Sequence, residues 1–169
     1  MIYTTLNKIR SHAPCKDGWE KLLKNLGKTQ ADDEPLSMLT ILNSNGLDDA
    51  LWCLRACDGI ELEARLFAGT CVRRVRHLMT DPASINALAV AWDAAIAVEA
   101  GAAAWGAAWG AAGAAGAAAG DAAGAAAGDA AEAGAAGAAA RGAAWAAARA
   151  AERAWQEQEF KRVFCGGEK

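Results

Sequence analysis

Four side chains of this sequence invite a metal reading: His12, Cys15, Cys53 and Cys57. Cys53 and Cys57 stand four apart in "CLRAC", on one side of a helical turn, and His12 and Cys15 stand three apart in "HAPC". Thiolates and imidazole are the ligands zinc prefers. The spacing, however, is that of neither a zinc finger nor a zinc ribbon, and both cysteines of "CLRAC" fall among core-type residues. Buried thiols acting as small apolar side chains are therefore expected, with no metal and no other cofactor. His77, between Arg76 and Leu78, reads as a boundary residue of a helix rather than a base. Asp32–Asp33 and Asp48–Asp49 are paired carboxylates, the kind that can share acid–base work. Ahead of apolar-periodic runs they read instead as helix caps. There is no Gly-x-Ser-x-Gly and no His-Glu-x-x-His, and "GAAAGD" lacks the Lys-Ser/Thr of a phosphate-binding loop. No enzyme is expected.

Binding chemistry is better represented. Trp145 aligns at helical spacing with Arg149, and roughly with Glu152 and Arg153. Tryptophan and arginine are the residues that dominate protein–protein hot spots. A second candidate surface is acidic. Residues 29–63 hold one Arg against eight Asp/Glu, including Asp32, Asp33, Glu34, Asp48 and Asp49. Such a block suits a basic partner, or a nuclease that reads it as nucleic acid. The simpler reading is that it pairs with the basic stretches on either side, 1–28 and 64–80. Over the whole chain of 169 residues the net charge is −3, which argues against direct nucleic-acid binding. Trp92, Trp105 and Trp109 are read as packing anchors.

The elements that must position these residues are helical. "KDGWEKLLKNLGK" spaces Trp19, Leu22, Leu23 and Leu26 on one face and ends at Gly27. "TLNKIRSHAP" is a short helix stopped by Pro14. "ADDEPLSMLTILNSNG" is expected to start at Pro35 and to stop at Asn45–Gly46. "LDDALWCLRACDG" follows, capped by Asp48 or Asp49 and ended by Gly59. In "ELEARLFAGTCVRRVRHLM", Leu62, Leu66, Phe67, Val72, Val75 and Leu78 are expected to be buried together. "TDPAS" restarts a helix with Thr80 or Asp81 as cap.

From about Ile85 alanine and glycine take over. Glycines at 106, 110, 113, 116, 120, 124 and 128 recur near the helical period and form a strip without side chains, suited to close backbone approach. The octad "GAAAGDAA" occurs twice, at 116–123 and 124–131, with each Gly-Asp pair resembling a helix stop followed by a cap. One unbroken helix from Ser84 to Phe164 would run about 120 Å and bury almost nothing. A turn is expected at Gly120–Asp121 or at Gly128–Asp129. The uncharged run Ala100–Gly120 lacks Leu, Ile, Val and Phe and has no basic flank, so a membrane span is not expected. The absence of threonine from residues 81–169 counts against an ice-binding helix.

The resulting expectation is an all-α protein: a compact short-helix bundle over 1–81, close-packed antiparallel Ala/Gly-rich helices over 82–164, and a frayed tail over 165–169. The five cysteines are an odd number, and "MIYTTLNKIRSHAPC" has no basic-then-apolar leader, so a reducing cytoplasm is the expected home.

The segments "LDDALWCLRAC" and "RLFAGTCVRRVRHLMTDP", followed by an alanine-rich helix with interspersed Trp, Asp and Arg, resemble the immunity proteins of bacterial toxin-immunity systems and related prophage proteins. The resemblance spans about residues 45–160. The many glycines of the tail depart from that pattern, where charged residues or tryptophan are usual. What the resemblance implies is a helical, non-enzymatic protein that neutralises a toxin or a host defence nuclease by direct binding. A self-associating helical scaffold, held together by the glycine strip, is the alternative.

Overall fold

The computed structural model describes residues 1–78, 110, 113–114, 116–118, 120–125 and 135–166. The described chain is all-α apart from one minimal strand pair.

Helix α1 (Leu6–Ser11) starts where Thr5 Oγ1 accepts the Lys8 N–H at 3.2 Å, and buries Leu6 and Ile9. Helix α2 (Lys16–Leu26) ends at Gly27, whose φ of 66° is the left-handed conformation expected of a glycine stop.

The next segment departs from the sequence reading. Pro35 does not open a helix. Leu36–Ser37 forms strand β2, paired antiparallel with β1 (Tyr3–Thr4), with Tyr3 opposite Ser37 and Thr4 opposite Leu36. Helix α3 (Met38–Asn45) therefore begins three residues later, with Ser37 Oγ accepting the Thr40 N–H at 3.1 Å. The backbone of Leu36 is claimed by the strand, and Ser37 supplies the cap in place of the acids ahead of Pro35.

Gly46 is the cap of both α3 and α4 (Leu47–Cys53), at a φ of 92°. Asp48 and Asp49 consequently lie in the first turn of α4 rather than capping it. There they still complement the positive end of the helix. A 3₁₀ turn (Leu54–Ala56) extends α4, and Gly59, at a φ of 70°, turns the chain into α5 (Glu61–Val75).

The buried face of α5 is Ala64, Phe67, Ala68, Cys71 and Val75. Leu62 and Leu66, expected on that face, are 59% and 54% exposed. Phe67 sets the register by pointing into the core, and Leu62 and Leu66 fall on the opposite stripe. The side chains of Val72 and Leu78 lie outside the description.

The C-terminal helix α6 (Ala135–Phe164) completes the core. Phe160 and Phe164 are fully buried against Phe67, with ring centroids 6.2 and 5.7 Å from it and 4.7 Å from each other. The Ile2 N–H donates to the Phe164 carbonyl at 2.9 Å, and the Ile2 carbonyl accepts from the Met38 N–H at 3.0 Å. The N-terminal segment is thus held between the end of α6 and the start of α3. Cys165, expected in a frayed tail, is 3% exposed and belongs to this core.

Residues 120–125 are helical, so the turn expected at Gly120–Asp121 is not there. Gly128–Asp129, Thr80, Asp81, Trp92, Trp105 and Trp109 lie outside the described residues. No helix among the described residues is long and apolar enough to cross a membrane.

Candidate functional site

Alanine gives α6 a high helical propensity but almost no surface chemistry, so its few large residues define what it can bind. Arg149 lies one turn beyond Trp145, and its guanidinium sits 4.5 Å from the centroid of the indole. That is cation–π geometry. Trp145 is half-buried, and its Nε1–H donates to Asp121 Oδ1 at 3.3 Å. On the same side a Cβ at Gly120 would meet the indole at 2.5 Å, so a side chain there would have to push the ring aside. Gly124 is looser, with Trp145 atoms at 3.8 Å. The strip is expected to admit another backbone; at Gly120 it admits the ring of Trp145 instead, and no backbone approaches Gly110, Gly113 or Gly116 within the described residues. Arg149 is exposed, and no carboxylate among the described residues pairs with it.

Arg153, the third residue expected on this face, points elsewhere. Its guanidinium pairs with Asp48 of α4 and donates to Gln156 Oε1 at 3.0 Å. Gln156 is fully buried and donates from Nε2 to Glu152 Oε1 at 3.2 Å, while Glu152 Oε2 accepts from Arg74 Nε at 2.9 Å. Arg74 also stacks on Trp155, 4.4 Å from its ring centroid. This chain of contacts runs from α5 across α6 to α4, and it satisfies the two polar groups that α6 buries there. Asp48 and Arg153, assigned from sequence to two different candidate faces, are partners in one internal contact.

The other acidic candidates are also engaged. Lys28 Nζ donates to Asp32 Oδ2 at 2.5 Å and to Glu34 Oε2 at 2.6 Å. Asp32 Oδ1 accepts the Glu34 N–H at 3.2 Å, closing a local turn. The Lys28 ammonium holds the Asp32 carboxyl below the usual carboxylate range. Asp33 accepts from Thr5 Oγ1 at 3.4 Å. Asp49 Oδ2 accepts from Asn45 Nδ2 at 2.8 Å, and the same amide donates to the Gly18 carbonyl at 2.8 Å. These contacts pin loops and helix ends together; Asp32, Glu34 and Asp48 meet cations, while Asp33 and Asp49 meet neutral donors.

The thiols divide into one exposed and four buried. Cys15 is exposed; Cys53, Cys57, Cys71 and Cys165 are buried. Burial pushes the thiols of Cys53, Cys57 and Cys71 up to about 12. Cys57 is turned toward Met38 Sδ, 3.6 Å away. Among the described residues no group of three or more His, Cys, Asp or Glu is arranged to hold a metal ion, so His12 and the three cysteines are not brought together as ligands.

A cavity of about 250 Å³ opens between α1, α2 and α4. Ile9, Trp19, Leu22 and Trp52 form its walls, and Cys15, Asn45, Asp48 and Asp49 are also in its lining. Trp19 looked like one more apolar residue on the face of α2. Trp19 and Trp52 are both half-buried in the lining, a meeting of α2 and α4 residues that no local pattern encodes.

Comparison with known proteins adds no relative: no family model, no curated protein and no solved structure matches this chain.

Proposed function

We propose that this chain is a non-enzymatic, cytoplasmic inhibitor of the immunity type, which neutralises a toxin or a defence nuclease by direct contact. The observation that carries the reading is Arg149 stacked on Trp145. The ring is fixed from beneath by Gly120 and by its bond to Asp121, so the guanidinium is held in place on an otherwise bland alanine surface. A pre-ordered arginine–aromatic pair loses little conformational freedom on binding and is a hot-spot anchor. The acidic alternative is weaker, because Asp32, Glu34 and Asp48 already hold internal cations.

The test is capture from a lysate of the source organism by tagged wild type beside Arg149→Ala, with circular dichroism to establish that the variant is folded. The expected result is a toxin or nuclease retained by wild type, weakened at least about tenfold by the substitution, and inhibited by the purified chain. Capture of the chain alone would overturn this reading in favour of a self-associating scaffold. That second reading draws on Gly110 and Gly113, which are exposed with open space where side chains would be. Sedimentation at high concentration decides it, since a strict monomer excludes assembly.

A further inference from the structure

We infer that the cavity between α1, α2 and α4 is a binding site for a small organic cation, a primary ammonium carried on an apolar or aromatic body. The inference is independent of the proposed inhibitor function. Three features of the cavity select this chemistry.

The walls are apolar and aromatic. Ile9, Leu22, Trp19 and Trp52 enclose a volume of about 250 Å³. Ordinary drug-sized sites begin at roughly 300 Å³, so the occupant is a small amine. Burying its body against these side chains supplies the hydrophobic part of binding.

The charge in the lining is of one sign. Asp48 and Asp49 belong to it, and no Lys or Arg does. Arg153 binds Asp48 through Oδ1 and Asn45 binds Asp49 through Oδ2. The second oxygen of each carboxylate has no donor among the described residues. Arg153 already balances Asp48, so the unbalanced charge is that of Asp49, whose partner Asn45 is neutral; an ammonium brings three N–H donors to it, while an anion would be repelled.

The indoles favour the same charge. Trp52 already carries the Arg55 guanidinium, 4.2 Å from its ring centroid, so Trp19 is the indole of the lining left for the ligand. Cations are attracted to the faces of such rings.

Cys15 provides the readout, being the exposed thiol at the cavity while Cys53, Cys57, Cys71 and Cys165 are buried. The full-length protein is treated with a chromogenic disulfide reagent at pH 7 in the presence of 2-phenylethylammonium, phenylacetate or phenylacetamide. The amine is expected to slow modification of Cys15 in a saturable way, with an apparent Kd at least about threefold lower than that of the neutral amide. The carboxylate is expected to protect least. Asp49→Asn, which keeps the amide-accepting oxygen for Asn45, is expected to erase the preference for the amine while leaving apolar protection. Equal protection by all three probes would overturn the cation assignment and leave a plain apolar cleft. Lack of protection by the amine up to about 10 mM, the weak end for such a fragment, would overturn the site altogether. Retention of the amine preference by a folded Asp49→Asn would also overturn the assignment as drawn here. The wild-type ranking decides the question even if that variant does not fold.

Discussion

Trp145 occupies the space that a side chain at Gly120 would need: a Cβ there would stand 2.5 Å from the indole Nε1. Alanine is ordinarily better than glycine inside a helix by about 1 kcal/mol. At position 120 that gain is opposed by overpacking against a ring and its neighbours, which costs roughly 1–3 kcal/mol. Gly120→Ala is therefore expected to destabilise by about 1 kcal/mol or to displace the ring, whereas Gly113→Ala, where the space is open, is expected to be neutral or stabilising. Urea denaturation of both variants measures the difference. A stabilised Gly120→Ala with unchanged tryptophan fluorescence would show that the ring does not rest there.

The three phenylalanines make a second contrast. Phe67 lies mid-α5, while Phe160 and Phe164 come from the last two turns of α6, and all three are fully buried. Phe160→Ala is expected to cost about 3–5 kcal/mol, a large share of the stability of a domain this size. A chain stopped before Phe160 is expected to lose the fold of residues 1–78 as well. Retained helical signal and a cooperative melt in the shortened chain would show instead that the first 78 residues fold without α6.

That dependence marks where the sequence was legible and where it was not. The ends of α1, α2 and α3 could be read from Pro14, Gly27 and Gly46, because stops are local chemistry, whereas the Thr5 and Ser37 caps were not read. The β1–β2 pair could not, since two residues per strand are too few to show alternation and the partners lie over thirty positions apart. The exposure of Leu62 and Leu66 was hidden for a related reason. A stripe of leucines and a stripe of Phe67, Cys71 and Val75 both look like a buried face until the position of α6 chooses between them. For the candidate site, the alignment of Trp145 with Arg149 was visible as an i, i+4 step. The diversion of Arg153 to Asp48, 105 positions away, was not. Both the cavity and this pair depend on how helices cross.

The Arg74–Glu152–Gln156 contacts should behave as one unit. Glu152 is 5% exposed and Gln156 is fully buried, so removing Arg74 leaves a carboxylate with one neutral donor in place of a guanidinium. Arg74→Ala is expected to cost about 2 kcal/mol, part of it from lost packing over Trp155. Arg74→Ala/Glu152→Leu, which removes the buried charge as well, is expected to recover some of that loss. A double-mutant cycle by chemical denaturation tests this. Strict additivity of the two changes would show that the pair does not communicate.

The buried thiols give the protein an alkaline limit. In the unfolded chain a cysteine ionises near its ordinary value of about 9, whereas burial holds Cys53, Cys57 and Cys71 up at about 12. Between those values the unfolded state has released protons that the folded state keeps. The unfolded state therefore binds fewer, and stability falls as pH rises. The contribution is intact below pH 9 and is lost progressively toward pH 12, with a slope of up to about 1.4 kcal/mol per pH unit for each thiol. Cys53→Ala removes one of the three, and its alkaline slope should be shallower than that of wild type by about that amount. Equilibrium denaturation at pH 8, 9.5 and 10.5 checks the sign. At pH 8 the same thiols should resist a disulfide reagent until the chain unfolds, leaving Cys15 as the first to react. Rapid labelling of more than one thiol in the folded protein would show that the core around Cys53, Cys57 and Cys71 opens more readily than its packing implies.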